Sequence, residues 1–118
     1  MKPQDTITIA PSVLITIARQ AALAEEGVAY MGTIPVDVGR LLRGNPMAGG
    51  VILEIDDLTV AVDLYLVLKP GKPMQAVAQA VQRSVKRSIE ELVGMQVSRV
   101  NIHIEDVDYD ASGEPSAS

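Results

Sequence analysis

The stretch VAVDLYLVLKPGKPMQAVAQAVQRSVKRSIEELVG, residues 60–94, changes its period in the middle. Up to Leu68, the apolar residues Val60, Val62, Leu64, Leu66 and Leu68 alternate with Ala61, Asp63, Tyr65 and Val67, the repeat of a β-strand with one strongly apolar face. Lys69-Pro70-Gly71-Lys72-Pro73 reads as a turn. From Met74 the apolar residues recur at spacings of three and four, through Val77, Val81, Val85, Ile89 and Leu92. Gln75, Gln79, Gln82, Arg83, Lys86, Arg87 and Glu90 lie opposite them, and Gly94 ends the helix. A strand with one face to cover, followed by a helix with one apolar stripe, predicts a helix laid on a sheet.

Outward from this stretch the same signals recur. Val51, Leu53 and Ile55 alternate with Ile52, Glu54 and Asp56, so with the Asp56-Asp57 turn the region predicts an antiparallel hairpin. A last strand covers about Val97 to Val107. Upstream, Thr6-Ile7-Thr8-Ile9 alternates like a short strand, and Pro11 with Ser12 is a helix start. Ser12 to about Glu25 predicts a helix buried on most sides, its exposed stripe limited to Thr16, Arg19 and Gln20, and Val28–Met31 a further strand. Residues 32–50, with two prolines and five glycines around a short helix at 36–43, form the most loop-like internal segment, a flexible connection into the next strand. The resulting expectation is an α+β fold: a two-layer sandwich with a mainly antiparallel sheet and two long helices packed on one face. One domain spans 1–109, and an acidic tail, 110–118, is expected to be disordered.

Composition narrows the functional classes. A chain of 118 residues holds one core, and without phenylalanine or tryptophan that core is aliphatic. The same scarcity of aromatics removes the usual base-stacking platforms of single-strand nucleic-acid binders. No cysteine means no disulfide, thiolate nucleophile or zinc-thiolate site, which suits a reducing cytoplasm. The N-terminus lacks the layout of a signal peptide, and no stretch approaches the roughly 20 apolar residues of a membrane span, so membrane association is expected through a partner and not by direct insertion. The net charge of −5 comes from the end of the chain, where Glu105, Asp106, Asp108, Asp110 and Glu114 have no basic neighbour. The body is neutral, which argues against general attraction to nucleic-acid phosphate.

With the aliphatic rows turned to the helices, the reverse face of the sheet is expected to display Thr8, Ile52, Glu54, Ala61, Asp63, Tyr65, Val67, Asn101, His103 and Glu105, a mixed surface of the protein-interaction kind. VNIHIEDVD, residues 100–108, places the only histidine near three carboxylates, but alternation puts Asp106 and Asp108 elsewhere, so His103 reads as a partner of Glu54 or Asp63 and not as a metal ligand. No metal or other cofactor is expected. Ser84, Ser88 and Ser98 sit in no nucleophile-elbow sequence, and Gly44–Gly50 lacks the Lys-Ser or Lys-Thr of a phosphate loop. Arg83, Lys86 and Arg87 share one helical face, with Lys69, Lys72 and Arg19 expected nearby. Their face suits an acidic partner, including the acidic tail of a neighbouring copy. The alternative use of that face is nucleic-acid binding.

Read together, ITIAPSVLITIARQAA, EEGVAYM, GGVILEI, VAVDLYLVLKPGKPM and VQRSVKRSIEELVGMQVSRVNIHIEDVDY resemble, in order, the bacterial alkaline shock protein family, also called envelope stress response proteins. The most specific part is Gln82-x-x-Val85-Lys86, then Gly94 and Val97-x-x-Val100-Asn101-x-His103. The resemblance implies a small cytoplasmic protein without enzymatic activity that self-assembles as a homo-oligomer beneath the cell membrane through a membrane-anchored partner. Arg83, Lys86, Arg87, Tyr65, Asn101 and His103 are the candidate interaction residues.

Overall fold

The structure, a computed structural model, describes residues 5–112. Of the tail 110–118 expected to be disordered, residues 110–112 lie in a 3-10 turn and 113–118 fall outside the described residues. The elements are α1 (Pro11–Leu23), β1 (Val28–Met31), α2 (Val36–Leu41), β2 (Met47–Ala48), β3 (Val51–Asp56), β4 (Thr59–Leu68), α3 (Met74–Leu92) and β5 (Gln96–Val107), with a 3-10 turn at Tyr109–Ser112. The five strands make one sheet covered on one face by α1 and α3, which is the α+β sandwich that the alternating and helical periods require.

Fully buried Val51, Leu53, Val60, Val62, Leu64 and Leu66 meet Leu14, Ala18 and Ala22 of α1 and Val81, Val85 and Ile89 of α3. Leucine and valine rows at a two-residue period thus face helical stripes at three and four, and each supplies the other's cover. Truncating Ile89 to alanine in this packed layer would cost about 2–5 kcal/mol. Pro11 occupies the first turn of α1, where its missing N–H costs nothing. The helix is less buried than its sequence predicts: Val13 and Leu23 are 44% and 41% exposed, because α1 has α3 and the sheet on one side and solvent on the other.

Strand β4 is the centre of the sheet. One edge pairs antiparallel with β3 through residues 59–64 and then with β1 through 66–68, while the other edge pairs in parallel with β5 along its whole length. The changeover is at Tyr65, whose N–H donates to the Gly50 carbonyl at 2.8 Å and whose carbonyl accepts the Gly32 N–H at 2.6 Å. Segment 32–50 is more ordered than a flexible connection. It holds α2 and the two-residue β2, and β2 turns into β3 through Gly49-Gly50 with φ of 57° and 85°, the positive pair of a type I′ hairpin. Thr6–Ile9, expected as a strand, joins no sheet, and residues 5–10 are all exposed.

Candidate interaction surface

Two surfaces carry the sequence-derived candidates. On the reverse face of the sheet, the His103 ring stacks on the Tyr65 ring with centroids 4.4 Å apart and planes 14° from parallel. These residues face each other because β4 and β5 run in register, Tyr65 opposite His103 and Asp63 opposite Asn101. His103 Nε2 lies 3.4 Å from Asp63 Oδ1, and Arg99 donates to Glu54 at 2.7 Å, so of the two carboxylates expected near the histidine, Asp63 takes that place and Glu54 pairs elsewhere. Glu105 Oε1 accepts the Thr33 N–H at 2.7 Å, and its carboxylate fills the space that a side chain at Gly32 would need.

The reverse face is consequently more polar than its alternation suggests. Ile52, Ala61, Tyr65 and Val67, expected at the surface, are each no more than 6% exposed. Asn101, His103, Arg99 and Glu105 form the outer layer in their place. Burial, then the carboxylates of Asp63 and Glu105, raises the Tyr65 phenol above its ordinary range. Tyr65 is thus buried against the His103 ring. Among the described residues no three His, Cys, Asp or Glu side chains gather as a metal cluster.

On α3, Arg83, Lys86 and Arg87 do come together, in a shallow depression that also contains Glu90 and Glu91. The expected additions do not join it. Lys72 pairs with Glu26 at 3.3 Å, and Arg19 lies against the Gly49 turn. The patch is therefore of mixed charge, which suits a patterned protein partner better than a phosphate backbone.

A third surface lies between these two, and the sequence reading missed it. Among the described residues, strand β5 has β4 on one side and no strand on the other. Its ends are closed by side chains: Glu90 Oε2 accepts the Val97 N–H at 3.1 Å, Gln82 donates to the Val100 carbonyl at 3.0 Å, and Asp106 Oδ1 accepts the Val107 N–H at 2.8 Å. Gln96 and Asp108 donate inward to Leu58 and Leu68 carbonyls of the β4 hairpin side. With one extra residue at each register shift, near Ser98 and Glu105, alternation turns the backbone groups of Val100, Ile102 and Ile104 outward. Between the closed ends, those of Ile102 and Ile104 meet no partner among the described residues. The side chains of Val100, Ile102 and Ile104 are half-buried at the margin of the core. No sequence signal marks an edge, since alternation sets faces and not neighbours.

Comparison with known proteins identifies a family. The family model of the alkaline shock protein 23 (ASP23) family, described by a cell envelope-related function, matches residues 1–109. The chain is 28% identical over 113 residues to the uncharacterized protein YqhY of Bacillus subtilis (strain 168), covering 92% of this chain and 81% of that protein. It is 28% identical over 104 residues to the uncharacterized protein Spy1614 of Streptococcus pyogenes serotype M6, covering 86% of each, and 27% identical to the uncharacterized protein YloU of B. subtilis, covering 86% of this chain and 87% of that one. No solved structure matched. The pair Gln82 and Val100, both in the most specific stretch of the resemblance, is joined by a hydrogen bond that ties helix to edge strand. With nearly the whole domain matched, the chain belongs to the alkaline shock protein family, whose function is related to the cell envelope.

Proposed function

We propose that this protein is a non-catalytic assembly and interaction module of the cell envelope, which self-associates and docks on a membrane-anchored partner from the cytoplasmic side. The observation that carries the reading is the open middle of β5. Natural proteins blunt or cover edge strands, and an edge closed at both ends but left open over Ile102 and Ile104 fits a surface kept for pairing with another chain. Among the described residues no helix is long and apolar enough to cross a membrane, and the reading assigns any membrane location to a partner. The mixed-charge depression of Arg83, Lys86 and Arg87 with Glu90 and Glu91 is the contact assigned to that partner, matched by charge pattern and not by net attraction.

The test is affinity purification from source cells with membranes retained, alongside light scattering of the pure protein. The reading expects a concentration-dependent oligomer and recovery of an integral membrane protein. A monomer at all concentrations would remove the self-association half. Recovery of RNA or of a metabolite-processing complex in place of a membrane protein would remove the docking half.

A further inference from the structure

The molecule holds both halves of a strand pairing that it does not make internally. One half is the open window of β5 described above, about five residues of edge from Val100 to Ile104. The other is the segment before α1. Thr6-Ile7-Thr8-Ile9 has the composition and alternation of a strand, carries no charge, and lies outside every helix and strand with its side chains exposed, Ile7 94% and Ile9 43% accessible. An isoleucine left bare outside every strand is not explained by the folded monomer.

We propose that Thr6–Ala10 of one copy adds as a sixth strand to the open edge of β5 in a second copy. This rests on the reading of the protein as self-assembling and names the contact. The lengths agree, because five extended residues span about 16 Å, the same as the five residues of edge from Val100 to Ile104. The chemistry agrees on both faces. Ile7 and Ile9, at a period of two, would continue the apolar layer in which Val100, Ile102 and Ile104 are half-covered, while Thr6 and Thr8 would continue the polar row of Asn101 and His103. Pro11 sets the limit of the added strand, since α1 begins there and proline has no N–H for a ladder.

The donor belongs to another molecule for a reason of layout. On the sheet, α1 packs beside β1 and β3, whereas α3 packs on β5, so α3 stands between the root of the segment and its own open edge. A donor strand at one side and an acceptor edge at the other make a head-to-tail contact, which propagates as a chain or closes as a ring.

Complementation tests this directly. A donor-defective variant, Ile7→Asp with Ile9→Asp, changes only exposed residues and should remain folded. An acceptor-defective variant, Ile102→Pro, removes one outward N–H. Each alone should be monomeric by light scattering, with association weakened by at least about tenfold, and an equal mixture should form a dimer and nothing larger. Should Ile102→Pro fail to fold, the absence of native cysteine allows a second measurement. Thr8→Cys mixed with Asn101→Cys or His103→Cys should give a disulfide-linked heterodimer under mild oxidation. Assembly of the donor-defective variant at wild-type strength would overturn the proposal while leaving self-association intact. Asn101→Cys crosslinking to itself in preference to Thr8→Cys would overturn it in favour of direct pairing of two β5 strands. A wild-type monomer at every concentration would overturn both this contact and the self-assembly reading beneath it.

Discussion

The side-chain amide of Gln82 on α3 donates to the backbone carbonyl of Val100 on β5 at 3.0 Å. It thereby occupies one of the outward acceptors at the margin of an otherwise open edge. The bond has two consequences of opposite sign. Gln82→Ala should lower stability by about 1 kcal/mol or less, the net worth of an exposed neutral hydrogen bond. The same change frees the Val100 carbonyl for an added strand, so association should tighten and not weaken. Urea unfolding and light scattering on the same variant read the two effects separately.

The changeover of β4 from β3 to β1 depends on a close approach of three backbones. A Cβ at Gly50 would lie 2.8 Å from the Gly32 carbonyl oxygen and 3.1 Å from that of Tyr65, and φ there is 85°. Gly50→Ala should therefore cost more than about 2 kcal/mol, combining left-handed strain with a clash against backbone. Gly71 also has positive φ but nothing within 4 Å, so Gly71→Ala should cost only about 1 kcal/mol. Equal losses in chemical denaturation would contradict the crowding at Gly50.

Alkaline pH gives a third check. The Tyr65 phenol titrates higher in the fold than in the unfolded chain because it is buried beside Asp63 and Glu105. Between the unfolded value near 10 and the raised folded value, the folded state holds more protons, so stability falls as pH rises through that window and is unaffected below it. Tyr65→Phe, which keeps the ring against His103, should lose less stability than wild type as the pH rises through and above the ordinary phenol value near 10, and differ from it by a constant well below that value. Parallel curves throughout would contradict the assignment.

These relationships mark where the sequence was legible. Hairpin β3–β4, helix α3 and the layer they share were readable because the apolar period switches cleanly between Leu68 and Met74. The Gly49-Gly50 turn was read as part of a flexible connection, although two adjacent glycines before an alternating run are a hairpin signal, because the two-residue β2 it serves is too short to show a period. What alternation could not supply was adjacency. Pairing of β5 with β4 in parallel decides that His103 covers Tyr65, that Glu105 reaches Thr33, and that β5 forms an edge. Thr6–Ile9 carried a true strand pattern for which the monomer offers no sheet position.

The partner surface can be separated from the assembly surface by charge. Arg83→Glu with Arg87→Glu turns a mixed patch acidic beside Glu90 and Glu91. Recovery of a membrane partner should drop several-fold at low salt, because the charge pattern matched by the partner has been reversed. Self-association through backbone pairing should stay within about twofold of wild type at the same salt concentration. Loss of both together would show that one surface serves both contacts.

The open edge of β5 is tested most directly by amide hydrogen exchange at single-residue resolution, below and above the association concentration. The amides of Ile102 and Ile104 should exchange freely in the monomer and slow by at least about tenfold on assembly, together with amides in Thr6–Ala10. An oligomer in which the Ile102 and Ile104 amides exchange as fast as in the monomer would contradict edge-strand assembly.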